Sequence, residues 1–240
     1  MGSYLSSYYS IIFVLTASLT LLLFYRVLTK STSETTRKLA PLVFWGLFTW
    51  VLLQSFLSYT GVYYENTNLL PPRIVLLGVF PTLLVILLLF ILSKGKQFIN
   101  SLPLLEITIV NSVRIPVELV LYWLFIHGFV PQLMTFEGFN FDILAGISSL
   151  FIAYFAFNKF KTRKNLLLIW NFISLLLLLN IVILAVLSVP SPFQQLSFQQ
   201  PNIAILYFPF SLLPTFIVPI VLFGHLVSIK QLINKILFTN

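Results

Sequence analysis

Charge is what this chain of 240 residues has least of: Lys, Arg, Asp and Glu together make up 8% of it. A soluble domain carries about 25% charged residues to cover its surface, so a water-soluble globular fold and a charge-rich disordered chain are both excluded. Cysteine is absent, which removes disulfide scaffolds, thiol nucleophiles and iron–sulfur ligation. Only 6 acidic residues and 2 histidines are present, a thin supply for hydrolytic chemistry. Nucleophile-elbow, phosphate-loop and zinc-protease patterns are missing too. What fills the chain instead is apolar: 59% hydrophobic residues, 25 of them Phe, and a mean hydropathy of +1.01.

A membrane-crossing helix needs about 20 largely apolar residues. Seven windows qualify: Tyr8–Leu28, Leu39–Thr60, Ile74–Leu92, Leu105–Phe129, Asp142–Phe157, Asn165–Ser188 and Ile203–Ile229. The fifth is short and the seventh long. None alternates polar and apolar as a barrel strand would, so the sequence predicts an all-α integral membrane protein, one seven-helix domain over residues 1–240. The connections sort by charge. Arg26 at the end of the first window is joined by Lys30, Arg37 and Lys38 after it; Lys94 and Lys96 follow the third, Lys159, Lys161, Arg163 and Lys164 the fifth, and Lys230 and Lys235 the last. The positive-inside rule then places the N-terminus outside and the C-terminus in the cytoplasm. The formal charge of +8 is thereby explained without a nucleic-acid partner. A plasma or inner membrane is the expected location.

The start of the chain has neither the basic region nor the small-residue cleavage site of a signal peptide, so the first window is expected to be retained. Met1-Gly2 with Ser6 matches the loose myristoylation pattern; an outward N-terminus is out of that enzyme's reach, and the match is read as chance.

An internal repeat is suggested by correspondences at an offset of 125 to 129 residues. Thr36-Arg37-Lys38 and Trp45 match Thr162-Arg163-Lys164 and Trp170, Gln54 matches Asn180, and the run from Pro72 to Pro81 matches Pro201 to Pro209. The halves would be 1–98 and 142–240, with 105–129 as a linker helix. Repeats of the same orientation are a transporter device, with the solute site near the midplane between them. In layout the chain resembles the SWEET sugar transporters and the PnuC vitamin transporters, which share a three-plus-one-plus-three arrangement of helices. It departs from the related PQ-loop pattern in that Pro131-Gln132 falls in a loop. The layout is also similar to that of rhodopsins, but the seventh window offers no lysine within the membrane for a Schiff base.

An ionisable residue inside the bilayer costs about 2.5–3.5 kcal/mol on insertion scales and is a functional hypothesis by default. The fourth window holds Arg114 and Glu118, with Asn111 and Tyr122 at spacings of three and four that put all of them on one face. Pro116 frees the carbonyl of Ser112 and predicts a kink there. Two readings stand side by side. In one, Arg114 and Glu118 are a structural ion pair; in the other, Arg114 holds a substrate anion or Glu118 handles a proton. Gln54, Asn171, Ser174 and Asn180 are candidate partners from other spans. His127 is expected near the outer end of the fourth helix, where Glu137 and Asp142 would complete a possible metal set. His225 is expected near the inner end of the seventh helix. Pro209, Pro214 and Pro219, with Pro81 in the third window, predict bent helices.

The sequence thus predicts a small-solute transporter or permease with Arg114, Glu118, Tyr122, Asn111, Gln54, Asn171 and Asn180 lining its site. A seven-helix sensor or receptor and an intramembrane lipid-modifying enzyme are the alternatives. Lipid, a small solute and further copies of the same chain are the partners left open, and the sequence identifies no cofactor.

Overall fold

The structure, a computed structural model, describes residues 7–65, 67–158 and 161–237. Met1, Gly2 and Ser6 of the myristoylation match and Lys159 of the basic loop lie outside them. Five helices are long and apolar enough to cross a membrane: Tyr8–Thr29, Glu34–Tyr59, Leu104–Ile126, Lys164–Ser188 and Leu213–Leu237. A sixth segment, Val75–Ile91, runs into Ser93–Ser101 at a bend of 92°, and Asp142–Ala156 is a shorter apolar helix. The two-residue pair Phe157–Asn158 and Lys161–Thr162 is a minor hairpin.

In chain order the helices are α1 (Ser7–Thr29), α2 (Glu34–Tyr59), α3 (Phe80–Ile91), α4 (Ser93–Ser101), α5 (Leu104–Val110), α6 (Arg114–Ile126), α7 (Asp142–Ala156), α8 (Lys164–Ser188) and α9 (Val218–Leu237). On α1, Phe13, Ala17, Leu21, Phe24 and Leu28 recur every three or four residues and are all buried; this stripe turns α1 toward α2, α5 and α6. α9 is the most enclosed crossing and packs along α8. The outward faces carry Leu42, Trp45, Phe56, Leu87, Ile169 and Leu176, all more than half exposed. In water that surface would aggregate; against hydrocarbon it is the normal exterior. This is the construction of a membrane protein.

Proline decides where the helices break. α5 and α6 form one crossing interrupted by a 3-10 turn at Asn111–Val113, immediately before Pro116, whose missing N–H was expected to loosen this turn. α3 and α9 each begin with a π-turn, Val75–Val79 and Leu213–Ile217. Helix is not continuous over the expected window Ile203–Ile229. A 3-10 turn at Ala204–Leu206 is followed by an irregular stretch, and the crossing runs from Leu213 to Leu237. Pro209 and Pro214 withhold donors at the upstream end. At the downstream end the helix continues past Lys230 to Leu237, and the Lys230 Nζ sits over the Phe90 ring, 5.0 Å from the centroid.

Side-chain bonds fasten the ends. Ser33 caps α2 by accepting from the Thr36 N–H. Ser31 donates to the Ser101 carbonyl at 3.0 Å, and Gln231 Nε2 donates to the carbonyls of Ile99 and Leu102 at 2.7 and 2.9 Å. One end of the bundle is thus tied through the end of α4 to both α1 and α9.

Candidate functional site

Arg114 is 2% exposed and lies ten residues into the 23-residue segment Leu104–Ile126. At 1.5 Å rise per residue that is about 15 Å from the end, the middle of the crossing. Its guanidinium clasps the Asp142 carboxylate with both edges: Nε donates to Oδ2 at 2.6 Å and Nη2 donates to Oδ1. Nη2 also donates to the Ser174 carbonyl at 3.0 Å, and Nη1 to Asn111 Oδ1 at 3.4 Å. The ion pair is therefore Arg114–Asp142, not the Arg114–Glu118 pair that helical spacing suggested. Residues one turn apart on one helix both point outward from its axis. A carboxylate on the neighbouring α7 meets the planar fork head-on.

His225 completes the ring of contacts. It lies twelve residues from either end of Leu213–Leu237 and is fully buried. Its Nε2 is 3.2 Å from Arg114 Nη1, and its Nδ1 is 2.9 Å from Asn171 Oδ1. A guanidinium only donates, so Nε2 must be the bare nitrogen and Nδ1 carries the proton donated to Asn171. The tautomer is assigned by its partners. Asn171 in turn donates to the Leu167 carbonyl at 2.8 Å, and the Trp170 ring packs 5.7 Å from the imidazole.

Glu118, also buried, is one turn further along α6 and has a different partner. Asn140 Nδ2 donates to Glu118 Oε2 at 2.6 Å and to the Met134 carbonyl at 3.0 Å, while Asn140 Oδ1 accepts from the Asp142 backbone N–H at 3.0 Å. Asn140 thus links the Glu118 carboxylate to the backbone at the start of α7. Asp142 opens α7, where the positive end of the helix dipole favours an anion. Close approach of α7 to α6 depends on Gly146: a Cβ there would stand 3.1 Å from the Ile115 nitrogen and 3.2 Å from Arg114 Cβ. In total one guanidinium, two carboxylates, one imidazole and three amides, from the 3-10 turn before α6 through α9, meet at mid-depth.

The structure brings Arg114, Glu118, Asn111 and Asn171 together, with Ser174 contributing its carbonyl. Tyr122 lies outside the cluster; its hydroxyl donates to Glu137 at 3.0 Å and its ring stacks on Phe136. Asn180 donates to the Phe139 carbonyl at 2.8 Å. Gln54 belongs to a second polar group at the π-turns. There its Nε2 donates to the Leu77 carbonyl at 3.1 Å and its Oε1 accepts from the Tyr63 hydroxyl. Burial pushes the Tyr63 phenol up to about 12. The set His127, Glu137 and Asp142 is not assembled: the three have different partners, and no group of three metal-ligating side chains gathers among the described residues.

Three members of the cluster escape a sequence reading. Asp142 reads as a surface residue at the start of the fifth window, although the shortness of that window signals that its first residue lies within the bilayer. His225 reads as an interfacial residue because the seventh window is framed ten residues too early. Asn140 carries no sequence signal. No protein-family model, curated protein or solved structure matches the chain.

Proposed function

We propose that this protein is a small-solute permease whose central site is the Arg114–Asp142–His225–Glu118 cluster. The single observation that carries the reading is the convergence of one cation, two carboxylates and an imidazole at the middle of three interrupted or short crossings. Such groups are expensive in a bilayer and face a pathway or one another; a static bundle needs no second carboxylate beside a completed ion pair. In this reading the chain crosses seven times with its N-terminus outside. The bent α3–α4 pair supplies the third crossing. The short α7 and the segment before it supply the fifth, with Asp142 at the inward tip. A relation between the third and seventh crossings is supported by their matching π-turns and prolines. Val75 to Leu213 and Pro81 to Pro219 are each 138 residues apart, a register different from the 125 to 129 of the loop matches.

The side chains of the cluster are buried among α6, α7, α8 and α9, which supports reading it as an internal site. Passage then requires the Arg114–Asp142 clasp to open, with a solute or a proton taking over part of the released charge. The test is retention of solute by the purified protein. After exposure to a cell extract of small molecules and washing, mass spectrometry should find a compound held by the wild type and lost from the double variant Arg114→Leu/Asp142→Leu. Equal contents in both would contradict the reading. A sensor would pass the binding test yet fail to move the compound across a vesicle wall.

A further inference from the structure

Away from the cluster, a groove of about 640 Å³ runs down the side of the bundle. α2 forms one wall from Leu39 to Trp50 and α3 the other from Pro81 to Leu92, with Phe216, Ile220 and Phe223 of the α9 segment as the floor. Each wall is twelve residues long, about 16 Å from first to last at 1.5 Å per residue. That is the depth of one leaflet of a hydrocarbon core about 30 Å thick. Trp50 closes the deep end, its Nε1 donating to the Thr215 carbonyl at 2.9 Å.

The shallow end differs in kind. Here the chain bends by 92° into α4, a short helix that presents Lys94, Lys96, Gln97 and Asn100 outward and Ile99 inward. Lys94 itself lines the groove mouth. Lys230 lies over Phe90 with Lys96 nearby. Among the described residues no carboxylate is paired with any of these three lysines; the ion pairs are Lys38–Glu34, Arg73–Glu65 and Arg114–Asp142. The groove is thus one leaflet long, apolar along its length and positive only where headgroups lie.

We propose that the groove binds one acyl chain of an anionic phospholipid, with the headgroup phosphate held by Lys94 at the mouth and with Lys96 and Lys230 adding positive charge around the bend. The inference is independent of the solute reading and of which side of the membrane α4 faces. A neutral lipid would fill the walls but leave the lysines without a counter-charge. A second copy of this chain would bring the same lysines to the mouth.

The test uses the full protein in mild detergent, given equal amounts of phosphatidylglycerol and phosphatidylcholine with identical chains and read by native mass spectrometry. The wild type should retain phosphatidylglycerol in about fivefold preference, as expected for one lysine beside an anionic headgroup. Lys94→Gln/Lys96→Gln, at exposed positions where folding is untouched, should bind both lipids equally. Val43→Trp, which fills the groove, should retain neither. Equal retention by the wild type, a preference that survives loss of both lysines, or displacement of the lipid by inorganic phosphate alone would overturn the proposal. A dimer that excludes lipid from the groove would do the same.

Discussion

At the scale of single residues, the central unit is a fork of two hydrogen bonds from Arg114 to Asp142 in the middle of the bundle. Removing one partner of a buried pair strands a charge and costs about 3–5 kcal/mol, whereas replacing both with apolar side chains can be nearly neutral. Arg114→Leu and Asp142→Leu are therefore each expected to lower unfolding stability in detergent by that amount, and the double variant by far less. Additive losses in a denaturant titration would mean that the two side chains are not coupled. The sequence makes Arg114 and Glu118 conspicuous because charge is so rare in it. It cannot show which carboxylate Arg114 takes, since Asp142 comes from another helix and is placed by Asn140 and Gly146.

At the scale of helices, two prolines create a need that α2 meets. In an α-helix the Leu77 carbonyl would accept from residue 81 and the Thr215 carbonyl from residue 219, but both positions are proline and have no N–H. Gln54 and Trp50, one turn apart on α2, donate to these two carbonyls instead. Gly78 lets the π-turns touch, since a Cβ there would run into the Thr215 methyl. Trp50→Phe should cost about 1–3 kcal/mol, the penalty of a buried carbonyl left unsatisfied. The same change should cost clearly less in a Pro219→Ala background, where the backbone donor returns. A double-mutant cycle on unfolding free energy measures the difference, and equal costs in the two backgrounds would contradict the assignment. The prolines, and the bends they impose, are legible in the sequence. The choice of Trp50 and Gln54 as substitutes is not, because it depends on how α2 lies across two distant segments.

At the scale of the whole molecule, composition alone identifies a helical membrane protein, and the expected windows overlap every long helix. The fifth window matches its helix, Asp142–Ala156, to within one residue; the boundary fails at the seventh, displaced by its prolines, where hydropathy does not see geometry. The path through the membrane is open to direct measurement. Reporters fused after Lys38, Lys96 and Lys164 should all read cytoplasm, and one after Asn68 should read the opposite side. A cytoplasmic signal at Asn68 would rule out the seven-crossing path.

We propose that the buried cluster moves a solute. The most direct measurement uses proteoliposomes incubated with a uniformly carbon-13-labelled extract of small molecules, followed by mass spectrometry of the lumen. A labelled compound should accumulate with the wild type and stay at the level of protein-free liposomes with Arg114→Leu/Asp142→Leu, whose fold the charge balance preserves. Identical lumenal contents for the wild type, the variant and empty liposomes would contradict the account and leave the cluster a purely architectural joint.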